Sequence, residues 1–379
     1  FTTTGSSILS DVETLSRGTA FWRCFTHWIG GMGVLVFIMA VMPLSDSSSM
    51  HLMRAESPGP SVGKLVPKIK TTAMILYGIY VVFTVIEIIA LLIAGMPLFD
   101  SMTLTFGTVG TGGFGLLNSS IASYSTAVQI IITVFMIICS INFTVYYMFL
   151  IKRPKEALMC EEMRYYLLIV FGSALLIAFN IRASFASFGK AFQQAIFQVA
   201  SVISTTGFAT ADFNLWPEFS RMILVLLMFV GACAGSTGGG FKVSRLIIMV
   251  KSVRNEIMSV THPRSVQKVH MDGRRIPDNV VKTVLCYLAG YVVILIVSVL
   301  LISLDNFDMT TNFTAVMATF NNVGPGLNRV GPTGNFGGFS VLSKLVLMFD
   351  MLVGRLELYP MLVIFAPGLW RIHPHRHVG

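Results

Sequence analysis

The chain has 379 residues, of which 54% are hydrophobic and only 12% are charged. Its mean hydropathy of +0.75 exceeds what a soluble globular domain can bury, which excludes a soluble protein and indicates a lipid environment. The net charge of +9 does not indicate nucleic-acid binding, because the basic residues are divided among separate loops instead of forming one patch with aromatic residues.

Long apolar segments predict an all-α polytopic membrane protein. A bilayer core of about 30 Å requires about 20 apolar residues for each helical crossing. Seven segments qualify in chain order: 19–44, 71–95, 126–151, 165–181, 220–250, 279–304 and 341–368. Three shorter apolar stretches lie between them: 97–107, 189–203 and 309–321. As helices these would span roughly 16 to 22 Å, so we predict half-helices that enter the membrane without crossing it.

A glycine tract follows each half-helix, and another crossing follows each tract. The unit of helix, half-helix, tract and helix occurs three times in full, and TTTGSS at 2–7 opens a fourth copy. This pattern predicts a pseudo-fourfold ring whose first repeat is N-terminally incomplete. The predicted units cover 1–69, 70–160, 161–277 and 278–379, and their key glycines are Gly5, Gly112, Gly207 and Gly324.

The tracts favour a cation filter. Extended backbone is tolerated at membrane depth only where it is buried in protein or lines a watery cavity, and glycine permits the turns that point carbonyl groups inward. Four such loops could replace the hydration shell of a cation. The predicted filter residues are Thr3, Thr4, Gly5, Gly110, Thr111, Gly112, Thr205, Thr206, Gly207, Asn322, Val323 and Gly324. A membrane enzyme or scaffold whose glycines only pack helices is the alternative.

Seven motifs together carry a family resemblance over essentially the whole chain. They are TTTGSS, TVGTGGF, STTGF, NNVGPGLN, WIGGMGVLVFIMAVMP at 28–43, GACAGSTGGGFKVSR at 231–245 and DMLVGRLELYP at 350–360. They resemble the TrkH group of the Trk/Ktr/HKT superfamily of potassium transporters. The resemblance implies four M1-P-M2 units, a homodimer in the bacterial plasma (inner) membrane, and a cytosolic TrkA-type regulator that carries the nucleotide. It also implies that this chain binds no cofactor and holds K⁺ only at the filter carbonyls.

The identity of the filter glycines bears on ion choice within that superfamily. Members with serine in place of the first filter glycine tend to favour sodium, so four glycines imply potassium. The fourth tract departs most from the pattern, because Val323 and Pro325 flank Gly324 and asparagines precede it. An asymmetric carbonyl ring is therefore expected.

A glycine-rich segment interrupts the apolar run 220–250. Glycines at 231, 235, 238, 239 and 240 each cost about 1 kcal/mol against alanine in a helix, so we predict a break in the middle of the membrane. The resemblance implies a gate there, formed by Gly235, Ser236, Thr237, Gly238, Gly239 and Gly240. A close helix–helix contact through small residues is the alternative. A phosphate-binding loop is disfavoured because the Gly-Lys-Ser/Thr ending is missing.

Arg355 is a charge inside the last apolar segment. Such a charge costs about 2.5 to 3.5 kcal/mol near the bilayer centre, so it should face a cavity or a partner. The resemblance implies that it lies beneath the filter as a barrier to cations. The alternative is an ion pair with Glu357 or Asp350 that fixes helix packing. Glu87, in another crossing, is interpreted as a structural partner of polar groups.

Basic residues indicate the orientation. The loops 45–70, 152–164 and 242–282 and the tail from 371 hold 19 of the 27 Lys and Arg, so the positive-inside rule places the filters on the extracellular side. The loop 251–278 is interpreted as a cytosolic surface for a regulator, or for anionic lipid. Asp100 and Asp308 lie near half-helix starts, where carboxylates suit the helix dipole. The HPHRH tail is interpreted as solvated rather than metal-binding.

Catalytic chemistry has little support. The five cysteines show no C-x-x-C spacing, so neither disulfides nor a zinc site is indicated, and no catalytic set gathers on adjacent elements. The chain is therefore predicted not to be an enzyme. A symporter that couples potassium to sodium or protons remains the alternative to a channel, because broken helices at the midplane also serve transporters.

Overall fold

The computed structural model describes residues 1–33, 69–262 and 267–364. This part of the chain is mainly helical, with one short antiparallel hairpin of β1 (His270–Met271) and β2 (Arg274–Arg275). The helices in chain order are α1 (Arg17–Gly31), α2 (Ile69–Ile93), α3 (Leu98–Val109), α4 (Thr126–Cys139), α5 (Phe143–Leu150), α6 (Pro154–Met159), α7 (Glu161–Ile181), α8 (Phe188–Ile203), α9 (Glu218–Val230), α10 (Val243–Thr261), α11 (Asp278–Ile302), α12 (Met309–Phe320), α13 (Val341–Leu356) and α14 (Leu358–Ile364).

Short helices, α3, α8 and α12, form at the three stretches predicted as half-helices. They contain 12, 16 and 12 residues, which is too short to cross a bilayer core. The side chain of Ser187 caps α8, and the carboxylate of Asp308 caps α12 by accepting from the Thr311 N–H at 2.9 Å. Asp100 lies in the first turn of α3, as its predicted role requires.

Three uninterrupted helices among the described residues are long and apolar enough to cross a membrane. They cover Thr71–Ile93, Glu161–Ser184 and Asp278–Asp305, and are the first helices of the second, third and fourth units. Only 22% to 28% of the most apolar window of each is buried inside the protein. So large an exposed apolar surface suits contact with lipid.

The helices that follow the second, third and fourth glycine tracts are interrupted. In the first unit α1 ends at Gly31, and in the third unit the predicted break separates α9 from α10. The prediction of continuous helices over 126–151 and 341–368 is wrong. The first forms α4 and α5, which are bent by 88° relative to each other, and the second divides at Glu357. The remainder of the predicted segment 19–44, beyond residue 33, lies outside the described residues.

The two unpredicted breaks have different causes. Between α4 and α5, the Ser140 carbonyl accepts from the Cys233 N–H and the Phe143 N–H donates to the Gly235 carbonyl, each at 3.0 Å. The third unit therefore satisfies the backbone groups that the bend releases. Between α13 and α14, Pro360 has no N–H for the Leu356 carbonyl, so the helix cannot continue unchanged.

The half-helices occupy the interior. Helix α3 packs against α1, α2 and α4, helix α8 against α4, α7 and α9, and helix α12 against α9, α11 and α13. Their C-terminal ends are the most enclosed part, with Val109, Ile203 and Phe320 no more than 2% exposed. This packing carries the second, third and fourth glycine tracts, which begin at these ends, into the centre of the protein.

Candidate ion-conduction pathway

The four glycine tracts meet at one place. A Cβ atom added at Gly5 would lie 3.0 Å from the carbonyl oxygen of Gly112, 3.2 Å from that of Val323 and 3.5 Å from that of Thr206. The first tract therefore faces main-chain oxygens of the second, third and fourth tracts. These residues are about a hundred positions apart in the chain, and only the tertiary fold brings them together.

Each tract contacts the next one in chain order, and the fourth tract contacts the first. A Cβ at Gly113 would contact the Thr206 carbonyl oxygen, and one at Gly207 would contact the Val323 carbonyl oxygen. A Cβ at Gly324 would lie 2.6 Å from the Cα of Gly5. The contacts run from second to third, third to fourth and fourth to first tract, so the four loops form a ring.

Each tract begins with a residue in the left-handed conformation. The φ angles are 56°, 50°, 60° and 57°, respectively, for Thr3, Thr111, Thr205 and Asn322. Threonine in this region costs of order 1–3 kcal/mol, and such strain persists only where the surroundings impose it. Its occurrence at the same place in four separate segments indicates one shared backbone requirement.

The second tract was predicted one residue out of register. Gly113, not Gly112, has the left-handed φ of 76° that matches 86° at Gly207 and 117° at Gly324. The Gly113 N–H donates to the Gly107 carbonyl at 3.3 Å, and Gly207 bonds six residues back in the same way at 3.2 Å. The sequence TVGTGG offers two similar registers, and hydrogen bonding at the end of α3 selects one of them.

The corrected register changes which residues of the second tract belong to the ring. Gly110 is the C-cap of α3, with φ −74° and ψ −6°, and thus still belongs to the half-helix. Gly112 takes the position of Thr206 and Val323, and Thr111 takes that of Thr3, Thr205 and Asn322. The other three tracts retain their predicted key glycines.

The glycine-rich break between α9 and α10 contacts the residues at which the third and fourth tracts leave their half-helices. The Gly239 N–H donates to the Thr205 hydroxyl at 2.6 Å. A Cβ at Gly238 would lie 2.7 Å from the Ser204 carbonyl oxygen, and one at Gly239 would lie 2.6 Å from that of Asn321. The segment 231–242 is therefore an irregular loop beneath two of the tracts, and the alternative of a simple helix–helix contact through small residues is wrong.

Arg355 binds main-chain carbonyls of two other units. Its guanidinium donates to Thr237 in the loop at 2.8 Å, and to Gly30 and, at 2.6 Å, Gly31 at the end of α1. Glu357 and Asp350, the ion-pair partners predicted as the alternative, each bind another group. Glu357 pairs with Arg245, and Asp350 accepts from the Ser298 hydroxyl at 2.8 Å.

A family model described as "TrkH: Cation transport protein" matches residues 1–372. The chain belongs to the TrkH family. It is 35% identical over 378 residues to the Trk system potassium uptake protein TrkH of Salmonella typhimurium and to that of Escherichia coli strain K12, which covers 98% of this chain and 77% of each relative. The Trk system potassium uptake protein TrkG of Escherichia coli K12 is 31% identical over 374 residues, with the same coverage.

A solved structure agrees with this assignment. The crystal structure of the potassium transporter TrkH from Vibrio parahaemolyticus matches with a TM-score of 0.86 and 33% identity. The match covers 98% of this chain and 77% of that chain. This member of the TrkH family is therefore a multi-pass membrane protein of a cation transport family, and not an enzyme.

In this TrkH-family chain a cavity lies on the side of the ring opposite the gate loop. Its volume is about 140 Å³, and its wall includes the four ring glycines, Gly5, Gly113, Gly207 and Gly324. Asp11 lies at the rim beside it. Hydrogen bonds from the Asn118 amide and the Glu13 N–H hold the pKa of the Asp11 carboxyl below its usual range. The rim of the cavity therefore carries a negative charge at neutral pH.

Sequence reasoning missed several polar residues around the gate loop. Glu162 accepts from the Ala234 N–H at 2.7 Å and from the Ser244 N–H at 3.1 Å, so one carboxylate clamps both ends of the loop. Lys242, counted as a loop charge, is 1% exposed and donates to the Gly238 carbonyl. Position 242 lies two residues after the end of the glycine run, which was the available signal that the lysine belongs to the loop.

A buried salt bridge in this TrkH-family chain joins the third unit to the fourth. The Arg245 side chain is 7% exposed and meets the Glu357 carboxylate, 12% exposed, at 2.7 and 2.5 Å. The guanidinium also lies 4.0 Å from the Tyr287 ring centroid. The pair connects the start of α10 with the junction of α13 and α14, next to the gate.

We expect Glu357→Gln to lower the free energy of unfolding by about 3–5 kcal/mol, because it leaves the buried Arg245 charge without its partner. Unfolding of the purified protein in detergent micelles, followed by circular dichroism, measures this loss. Glu156→Gln is the control, because its bridge to Arg153 is about 60% exposed on both sides and is worth less than about 1 kcal/mol. Equal losses in the two variants would contradict the structural role of the buried pair.

Proposed function

We propose that this chain is the potassium-conducting subunit of a bacterial K⁺ uptake system. The observation that carries the proposal is the closed ring of four tracts, in which Gly5 faces carbonyl oxygens of the other three. Such oxygens can replace the water lost by a K⁺ ion. The half-helices α3, α8 and α12 end directly at the ring, so their C-terminal dipoles add negative potential where the cation would lie.

Four M1-P-M2 units around one pore are the architecture of this proposal. The filter residues, in the corrected register, are Thr3–Gly5, Thr111–Gly113, Thr205–Gly207 and Asn322–Gly324. The fourth filter tract is held in place differently from the other three. The Asn322 amide donates to the Thr4 hydroxyl and to the Met351 carbonyl, each at 2.9 Å. An asymmetric ring, as expected from the sequence, follows from this proposal.

The gate of the proposed pore is the loop 231–242 together with Arg355. The loop residues Gly235 to Gly240 lie at the inner end of the filter, and Arg355 ties the loop to α1 through Thr237, Gly30 and Gly31. A guanidinium at this depth repels cations. Opening would require these hydrogen bonds to break, which makes the loop a two-state element that a regulator can bias.

The relatives' names and the charge distribution support the wider setting. We propose a homodimer in the bacterial inner membrane, with the filter outward and the basic loops cytosolic. A TrkA-type regulatory subunit would carry the nucleotide and act on the cytosolic surface 251–278, and this chain would bind no cofactor of its own. Anionic lipid is the alternative contact for that surface.

One observation favours proton-coupled symport as a second candidate. Glu87 on α2 is fully buried, and neither carboxyl oxygen has a hydrogen-bond partner among the described residues. The nearby Thr108 hydroxyl donates instead to the Leu104 carbonyl, at 2.9 Å. A buried acid beside a filter half-helix is the type of group that carries protons in transporters.

Rubidium uptake into proteoliposomes tests the proposed function. We expect the purified protein to admit Rb⁺ along its electrochemical gradient, with weak competition from a tenfold excess of Na⁺. A pH-sensitive dye trapped inside the proteoliposomes reports any coupled proton movement. Uptake without proton flux supports conduction, obligatory proton flux that Glu87→Gln abolishes supports symport, and an absence of Rb⁺ uptake contradicts both candidates.

A further inference from the structure

A cationic side chain lies in the wall of the outer cavity. Arg23, on α1, lines the cavity of about 140 Å³ that reaches all four ring glycines. Its guanidinium carbon lies 3.7 Å from the centroid of the Phe114 ring, and its Nη1 donates to the Gly115 carbonyl at 3.5 Å. Phe114 directly follows Gly113, so the charge is held next to the second filter tract.

The packing of the Phe114 ring fixes the position of the Arg23 guanidinium. The His27 ring, one helical turn further along α1, stacks on Phe114 with its centroid at 3.9 Å. Two groups that close to one ring centroid must lie on opposite faces, so Phe114 is held between Arg23 and His27. A stacked guanidinium is pre-organised and keeps its charge at every physiological pH.

The charges at this mouth are ordered by depth. No acidic residue lines the cavity within the described ranges 1–33, 69–262 and 267–364. Asp11 and Glu13 lie at the rim, where their carboxylates accept from the Asn118 side chain at 2.7 Å and from its N–H at 2.9 Å. A cation would thus pass exposed acids first and then meet Arg23 immediately before the ring.

We propose that Arg23 is a specificity-determining residue that keeps divalent cations out of the filter mouth. The inference rests on the proposed conduction path. The repulsion energy of an ion in a positive potential is proportional to its charge, so it is twice as large for a divalent ion as for a monovalent one. The factor by which the potential lowers occupancy is therefore squared for the divalent ion. A modest penalty for K⁺ is therefore a large one for Ca²⁺, Mg²⁺ or Ba²⁺, whose double charge would otherwise favour a ring of carbonyl oxygens.

Barium block of Rb⁺ uptake by proteoliposomes tests this role. For Arg23→Gln we expect half-maximal Rb⁺ uptake at a roughly threefold lower concentration, and half-maximal Ba²⁺ inhibition at a roughly tenfold lower one. Arg23→Lys, which keeps the charge but loses the planar stack, should remain close to the parent protein. Equal shifts for Rb⁺ and Ba²⁺, or the same shift in both variants, would show a packing role and overturn the proposal.

A second variant keeps the test valid if Arg23→Gln does not fold. Ser10 is exposed and lines the same cavity, so Ser10→Glu opposes the Arg23 field without disturbing its stack. We expect this change also to strengthen Ba²⁺ block more than Rb⁺ affinity, and no change would count against the proposal. If the parent protein takes up no Rb⁺, the proposed function fails; if it does and Ba²⁺ block never responds, only this inference fails.

Discussion

Replacing Arg355 with alanine is expected to raise Rb⁺ flux through purified protein in liposomes by about tenfold or more. A tenfold change corresponds to about 1.4 kcal/mol. A unit charge about 4 Å from a cation contributes about 4 kcal/mol at an effective dielectric constant of 20. The same substitution removes the hydrogen bonds that tie the loop at Thr237 to the end of α1. The loss of the charge and the loss of these hydrogen bonds should each increase the flux.

Two companion variants separate these effects. Arg355→Lys keeps the charge but loses the fork that reaches several carbonyls at once, so flux between the parent and the alanine variant is expected. Arg254→Ala removes an exposed charge on α10 and should leave flux unchanged. Unchanged or reduced flux in Arg355→Ala, with normal folding by size-exclusion chromatography, would contradict the gate assignment.

Gly5→Ser is expected to reduce discrimination between Rb⁺ and Na⁺ by about tenfold while the protein still folds. Gly5 is the ring glycine that has no left-handed φ, so serine meets no backbone strain there. Its Cβ would lie 3.0 to 3.5 Å from carbonyl oxygens of the other three tracts. The Gly112 and Val323 oxygens must shift by tenths of an ångström, which changes the ring that replaces the ion's hydration shell.

Two glycines provide the comparison for this prediction. Gly207→Ser adds left-handed strain of order 1–3 kcal/mol and a contact with the Val323 carbonyl, so we expect lower folded yield as well as lost selectivity. Gly115→Ala is the control, because the nearest atoms to its Cβ would be 3.8 Å away. Competition of NaCl against Rb⁺ uptake measures all three variants. Parent-like selectivity in Gly5→Ser would contradict the filter assignment.

The units of the fold were predictable because their signals are local. The lengths of the apolar runs distinguish half-helices from crossings, and Ser187 and Asp308 mark helix starts by their capping chemistry. The break at 231–242 was predictable too, because five glycines cannot sustain a helix. The signal at Pro360 was present but was not used, and the helix end before it was missed.

Other features had no local signal. The bend at 140–142 contains neither glycine nor proline, and it exists because Cys233 and Gly235 of another unit bind the released backbone groups. Arg245 was counted among cytosolic loop charges, yet its side chain is only 7% exposed because Glu357, more than a hundred residues away, pairs with it. The register of the second tract, Gly113 against Gly112, likewise depends on bonds at the end of α3.

The sequence by itself determined a lipid-embedded chain of repeated units with four glycine tracts, three of which follow a half-helix. Hydrophobic run length, capping residues and glycine content act within a few residues, so they are readable without a fold. The tertiary structure decided the order of the ring, the register of the second tract, the partners of Arg355 and the bends after the tracts. Those features depend on which backbone and charged groups pair across about a hundred residues, because a buried polar group must find its partner wherever the packing supplies one.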